Sequence, residues 1–445
     1  MLVPPGEIAV IGLGRSGVAA TRLLLREGAR VYASDLGADG PVADAAQGLR
    51  AVGAAVDLGG HDLARIGRAA LAVVSPGVPP TAPPVAAARD AGVPVWAEAE
   101  LGLRALGGAI PFIAVTGTNG KTTTTALVAH MLTAAGRRAV AAGNIGLPLS
   151  EVAQMSHRPQ LLAVELSSFQ LHDMPTVSPT VGVLTNLAPD HLDRYPNLDE
   201  YYRDKLRLFA NGGPDSMWVT NADDPTSRQW IDQPRGRRRR FSVRNEADGW
   251  LDRASESLML GTSRVVPRNR FPLLGDHNVA NALAASLAVH AVGVTVDDIA
   301  RGLASAAPLA HRMEPIREVG GVLWVNDSKA TNISSTEVAL QAIDRPFVLL
   351  LGGRHKGESY RRLAPLLDRC RAVVAYGEAG PLVEGDLGDA VELIRGTTFE
   401  QVVAAAAAVA RPGDAVLLSP ACSSYDMFRN YEERGATFRR LVEAL

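Results

Sequence analysis

Two glycines, a lysine and paired threonines occur together at Gly117-Thr118-Asn119-Gly120-Lys121-Thr122-Thr123, after an apolar run at 113–116 and before a stretch of helical period opening at Thr124. Strand, glycine loop and helix in that order make a cradle for phosphate. Glycines let successive backbone N–H groups curl around oxygen atoms, and the helix start adds the positive end of its dipole. Lys121 would reach the terminal phosphates of ATP, and the Thr122 hydroxyl would ligate magnesium. The loop is two residues shorter than the usual Gly-x-x-x-x-Gly-Lys-Ser/Thr. A plain turn after a strand is the competing reading, and the two correct flanks favour the ATP site.

Polar residues close the neighbouring apolar runs. Glu165 ends one at 161–168, offering the oxygen ligand that a hard cation such as magnesium prefers. Asn186 ends the next and leads to Asp190, His191 and Asp193, then Arg194 and Tyr195. A lone histidine is usually a structural loop residue, but its company at a strand end favours His191 as a ligand. Lys205 lies on a helix whose Tyr202, Leu206 and Phe209 mark one apolar face, so its stem is expected to be partly covered, although periodicity alone makes it a surface lysine.

Near the start, Gly12, Gly14 and Gly17 form Gly-x-Gly-x-x-Gly after a strand, and Asp35 closes the next strand where a ribose-binding acid would stand. Three readings stay open: a dinucleotide site for hydride transfer, a site for a nucleoside diphosphate carried by a substrate, and glycines that merely let a helix pack closely. The complete phosphate loop elsewhere favours the second. Ser75-Pro76-Gly77 ends a third strand on the same crevice. In the last third of the chain Asn326-Asp327-Ser328-Lys329-Ala330-Thr331-Asn332, Gly352-Gly353-Arg354-His355-Lys356-Gly357 and Ser419-Pro420-Ala421-Cys422-Ser423-Ser424 end three further strands. Lys329 and Lys356 are placed there to clamp anions.

These clusters need a scaffold that gathers strand ends. Short β-branched runs recur at 8–12, 31–35, 71–77, 113–117, 161–167, 181–186, 218–221, 322–327, 347–353, 373–377 and 416–420, separated by alanine- and leucine-rich helical stretches. Strands that are apolar throughout and alternate with helices predict α/β domains with parallel sheets covered on both faces, and ligands in such sheets gather beyond the carboxyl ends of the strands. At roughly 100–200 residues per domain, 445 residues suggest three. Breaks in pattern place their boundaries near 98 and 308.

A formal net charge of -2, with 47% hydrophobic and 21% charged residues, gives no global field for nucleic acid. No apolar run reaches the length of about 18 residues that a membrane span needs. The arginines of 235–240 read as a solvated loop tip. Two cysteines, Cys370 and Cys422, leave no disulfide framework and no cysteine metal cluster, which fits a cytoplasmic protein.

Taken together these segments resemble the Mur ligase family of bacterial cell-wall synthesis, along all three domains. The Thr-Gly-Thr-Asn-Gly-Lys-Thr-Thr loop is similar to that family's shortened phosphate loop. His277-Asn278-Val279-Ala280-Asn281-Ala282 and His311-Arg312-Met313-Glu314 resemble its adenine-side asparagine and hinge arginine segments. The runs from Asp327 to Asn332 and from Leu418 to Ser424 resemble the branch that adds D-glutamate.

The resemblance implies a Rossmann-like domain at 1–98 for a UDP-linked substrate, a P-loop mononucleotide-binding ATPase domain at 99–308, and a Rossmann-like domain at 309–445 for the amino acid. The substrates it implies are UDP-N-acetylmuramoyl-L-alanine and D-glutamate, joined with ATP and two magnesium ions by a monomer. Gly117, Thr118, Asn119, Gly120, Lys121, Thr122, Thr123, Asn281, Arg312 and Asp327 would bind ATP. Thr122 and Glu165 would hold one magnesium and His191 the second, and Lys205 would join them as a CO2-derived carbamate. Asn144 would lie near the reacting carboxylate. Gly14, Arg15, Ser16, Gly17, Asp35, Ser75 and Gly77 would bind UDP, and Lys329, Thr331, Lys356, Ser424 and Tyr431 would bind D-glutamate. Leu36, Gly37 and Arg354 depart from the family pattern, which often has polar uracil contacts after Asp35 and an aspartate in place of Arg354.

Overall fold

The apolar runs pair into three sheets in the computed structural model, which describes residues 2–190, 194–231 and 234–445. The first sheet has the order Ala55–Leu58, Arg30–Asp35, Glu7–Ile11, Leu71–Val74, Val95–Ala97, all parallel. The chain enters at the central strand and its order reverses there, so the turn at 12–17 lies at the topological switch point where such sheets bind ligands. Side chains of the central strand alternate: Ile8 and Val10 pack on one side with Leu23, Leu24 and Leu49, while Ala9 and Ile11 pack on the other with Ile66 and Val85. Both faces are therefore covered, as the unbroken apolar runs require.

The second sheet has nine strands in the order Ser263–Pro267, Ser257–Leu260, Gly249–Asp252, Arg237–Ser242, Met217–Asn221, Val181–Leu184, Phe112–Thr116, Leu161–Glu165, Ala139–Gly143. Phe112–Thr116 runs parallel to both neighbours, so the phosphate loop leaves the sheet between the ends of Leu161–Glu165 and Val181–Leu184. One expectation changes here. The arginines of 235–240 are not a loop tip, because Arg237–Ser242 pairs in parallel register with Met217–Asn221. Sheet pairing needs only the backbone, and buried Phe241 and Ser242 anchor the strand while Arg237, Arg238 and Arg240 stay exposed.

The third sheet has the order Glu314–Val319, Val322–Asn326, Ala415–Leu418, Phe347–Gly352, Cys370–Tyr376, Leu393–Gly396, with only the first strand antiparallel to its neighbour. Leu349 and Leu351 face one core, Val348 and Leu350 the other. Contacts divide the chain into two units: residues 1–187, 194–266 and 281–303, and residues 188–193, 267–280 and 304–445. Among the described residues no helix is long and apolar enough to cross a membrane.

Candidate active site

The phosphate loop is built around two glycines in left-handed backbone. Gly117 has φ +139° and Gly120 φ +83°, and a side-chain carbon would run into Thr185 Oγ1 at the first and Asn281 Oδ1 at the second. Thr185 and Asn186, at the end of the neighbouring strand, tie the loop down. The Thr118 N–H donates to the Asn186 carbonyl at 2.9 Å, the Asn119 N–H to Asn186 Oδ1 at 3.0 Å, and the Thr185 hydroxyl to the Asn119 carbonyl at 2.6 Å. Lys121 Nζ arches back over the loop to the Gly117 and Thr118 carbonyls, at 2.9 and 2.7 Å. Helix Lys121–Ala134 starts on Gly120 with no acidic residue in its first turn, so no carboxylate there offsets its dipole. Asn281, on the helix Asp276–Ala291, also accepts from Thr124 Oγ1 at 3.3 Å, which places it against the loop.

Glu165 is 1% exposed. Its Oε1 accepts from Asn144 Nδ2 at 2.7 Å, and Oε2 has no hydrogen-bond partner among the described residues. Such a buried carboxylate oxygen is costly unless something satisfies it, and a hard cation does so well. The donor set therefore suits magnesium. His191 lies outside the described residues, and among those that are described no three His, Cys, Asp or Glu side chains gather as a metal cluster.

Lys205 corrects the surface placement that its periodicity suggested. It is 1% exposed, with Nζ 2.8 Å from the Gly117 carbonyl and 4.4 Å from the centroid of the Tyr201 ring. Helix Leu198–Leu206 buries Tyr201, Tyr202, Asp204 and Lys205, a wider face than its apolar stripe indicates. Polar partners make that possible. The Asp204 carboxylate gathers His172 Nδ1 at 3.0 Å, Tyr195 OH at 3.1 Å and Arg207 Nε at 2.9 Å, and Tyr201 OH reaches Thr118 Oγ1 at 3.2 Å.

In the first sheet, the two oxygens of Asp35 accept from the N–H groups of Leu13 and Gly37. Ser75 Oγ donates to the Gly12 carbonyl at 2.8 Å. Both side chains thus brace the glycine turn. A side-chain carbon at Gly17 would meet the Gly12 carbonyl and Ser75 Oγ, whereas nothing lies within 4 Å of one at Gly14 or Gly77. Leu13, Gly14, Arg15, Pro41, Val42 and Glu151 line part of a cavity of about 580 Å³, within the range of small-ligand sites. Ser16 follows Arg15 in the first turn of the helix Arg15–Arg26.

The third sheet gathers its own polar ends. Asp327 is buried and accepts from the Met313 N–H at 3.1 Å and Ser419 Oγ at 2.9 Å. Burial raises its carboxyl to about 7. Lys329 Nζ donates to Tyr431 OH at 2.8 Å, and Lys356 Nζ lies 3.5 Å from Thr331 Oγ1. Arg354 is turned to an exposed pair with Glu378 at 3.0 Å. Arg434 had no place in the sequence reading. Fully buried, its guanidinium donates to Ser328 Oγ, the Ser328 carbonyl and the Cys422 carbonyl, at 2.9, 2.8 and 3.1 Å, so it ties the 326–332 cluster to the 419–424 cluster that holds Ser424. A lone arginine on a polar helix gives no signal of that kind.

Residues 6–97 match the description Mur ligase MurD-like, N-terminal domain, residues 115–289 the Mur ligase middle domain, and residues 311–422 the Mur ligase, glutamate ligase domain. The chain is 44% identical over 453 residues to a UDP-N-acetylmuramoylalanine--D-glutamate ligase of Anaeromyxobacter dehalogenans, covering 98% of this chain and 97% of that protein. The chain belongs to the Mur ligase family. Enzymes of the same name from Salinibacter ruber and Pelotomaculum thermopropionicum are each 40% identical, over 98% and 99% of this Mur ligase and 97% and 98% of theirs. Two solved structures share its fold. A UDP-N-acetylmuramate-alanine ligase from Thermotoga maritima has a TM-score of 0.63 at 20% identity, covering 99% of both chains. A MurF ligase from the same organism has 0.64 at 18%, covering 99% of this chain and 96% of that one. As a Mur ligase, the protein is an ATP-dependent, amide-bond-forming enzyme of three α/β domains.

Proposed function

We propose that this Mur ligase joins D-glutamate to UDP-N-acetylmuramoyl-L-alanine at the expense of ATP, in the synthesis of peptidoglycan precursors. The observation that carries the reading is the phosphate loop, pinned by Thr185 and Asn186 and bordered by a buried carboxylate and a buried lysine. Relatives named for this reaction, matched over nearly the whole chain, supply the substrates.

In this reading an oxygen of the alanine carboxylate attacks the γ-phosphorus and ADP leaves. The amine of D-glutamate then attacks the carbonyl of the acyl phosphate, a proton is lost from nitrogen, and phosphate departs. Charge stabilisation dominates such a transfer. Residues 117–123 cradle the phosphates, Lys121 neutralises charge on the transferred group, and Asn281, Arg312 and Asp327 serve the nucleotide. Asn144 aligns Glu165, which with Thr122 would hold one magnesium, while His191 would hold the second. Magnesium, when bound, offsets the negative charge of the phosphates. A carbamate formed from CO2 and the neutral amine of Lys205, with loss of a proton from nitrogen, would supply an anionic ligand. Residues 1–98 bind the UDP part, and Lys329, Thr331, Lys356, Ser424 and Tyr431 in 309–445 bind D-glutamate.

The test is phosphate release from ATP with UDP-N-acetylmuramoyl-L-alanine present, with and without D-glutamate. Release that needs D-glutamate is expected. Turnover that instead needs L-lysine, meso-diaminopimelate or L-glutamate would assign a different member of the family, and tight NAD binding without ATP turnover would overturn the reading altogether.

A further inference from the structure

We propose that Arg15 and Glu151 form a latch across the cavity between helix Arg15–Arg26 and helix Leu149–Ala153, opened when the diphosphate of the substrate takes Arg15 away from Glu151. This rests on the reading that residues 14–17 bind the UDP part.

Arg15 is the first residue of helix Arg15–Arg26 and Glu151 lies on helix Leu149–Ala153. The guanidinium grips both carboxylate oxygens, Nε at 3.2 Å and Nη2 at 3.1 Å, and its Nη1 donates to the Gly146 carbonyl at 3.2 Å. Both side chains line the cavity. In the free protein this pairing holds the Arg15 guanidinium on Glu151, and a diphosphate entering the cavity competes with the carboxylate for it.

The pair is easily exchanged. Its members are 60% and 41% exposed, and solvent-exposed ion pairs contribute little. A diphosphate brings more charge and offers the same bidentate geometry. It would also meet a helix start with no acid in its first turn and open space around Gly14. The exchange reaches further along the chain. Gly146 sits in the turn where the Gly143 N–H bonds the Leu147 carbonyl, and the same turn carries Asn144, whose amide holds Glu165. Moving Arg15 releases a tether on that turn.

Calorimetry on the full chain, with UDP and with uridine as probes, tests the latch in wild type, Arg15→Ala, Glu151→Gln and the double variant. Glu151→Gln is expected to tighten UDP about two- to fivefold, the range of an exposed pair. Arg15→Ala is expected to weaken UDP. Uridine affinity should be the same in all four proteins, which also reports that each variant is folded. In the Arg15→Ala background the gain from Glu151→Gln should vanish. A gain that persists there means Glu151 acts by simple repulsion, and no gain in either background means that Arg15 is not shared; either result overturns the latch. Failure of the wild type to bind UDP at all would instead refute the underlying reading of residues 14–17, and the latch with it.

Discussion

Replacing Glu98 by glutamine should stabilise the protein by an amount that grows with pH. Helix Glu98–Leu106 and helix Leu149–Ala153 pack so closely that a side-chain carbon at Gly102 would strike the backbone of Leu149 and Ser150. In that contact Glu98 is fully buried, with Oε1 2.6 Å from the Ser150 N–H and Oε2 without a partner among the described residues. Burial raises its carboxyl from 4.5 to about 7. At about 1.4 kcal/mol per pH unit of difference, holding it ionised costs the fold about 3 kcal/mol. Below pH 4.5 the group is protonated in both states and costs nothing. As pH rises to about 7 the unfolded chain gives up its proton while the folded one keeps it, so wild-type stability falls, and above that the full cost persists. Glutamine keeps an acceptor for the Ser150 N–H and never ionises. The advantage of Glu98→Gln should therefore increase by about 2 kcal/mol between about pH 5 and 8. His277, which burial lowers to about 4, contributes the opposite slope at the acid end but is present in both proteins and cancels. Urea unfolding followed by tryptophan fluorescence at a series of pH values measures the difference. A difference that stays constant across that range would refute the assignment of an ionising, buried carboxyl.

Other perturbations have separate outcomes. Gly120→Ala forces a side chain into left-handed backbone at about 1–2 kcal/mol and against Asn281, so the KM for ATP should rise about tenfold or more; an unchanged KM would contradict the cradle. Glu165→Gln should lower kcat about 100-fold and raise the magnesium concentration needed for half-maximal rate, and a magnesium titration that does not move would remove Glu165 from the metal site. Lys205→Ala should abolish turnover that formate or acetate partly restores, with lack of rescue arguing against a carbamate. Arg354→Ala breaks only the exposed pair with Glu378, so a thermal melt should show a change below about 1 kcal/mol.

The strands that carry chemistry were legible because each is an apolar run ending in a polar cluster, as at Val115-Thr116-Gly117 or Val164-Glu165. Shorter or more polar strands, such as Ala55–Leu58 and Leu393–Gly396, lack that contrast and surface only when their neighbours supply pairing. Arg237–Arg240 shows the same limit from the other side, since three exposed arginines and a half-buried one read as loop while their backbone satisfies a ladder. Within the candidate site, the glycine loop and the Glu165 carboxylate follow from local pattern. Lys205 does not, because its burial depends on a carbonyl and a ring 88 and 4 positions away in the chain. Arg434 is hidden for the same reason, since Ser328, its main partner, is 106 positions away in the chain.

The braced turn at Gly12 and Gly17 bears on how this domain can change through descent. Each glycine is hemmed in by the same serine, Gly12 by Ser75 and Val78 and Gly17 by Ser75 and the Gly12 carbonyl. No single exchange at either position leads to a bulkier turn that still closes, so the backbone there must be inherited whole. Positions 14 and 15, which line the cavity, face open space and an exposed partner and carry no such restriction. A lineage can vary the cavity wall at those two residues while the frame that presents them stays fixed.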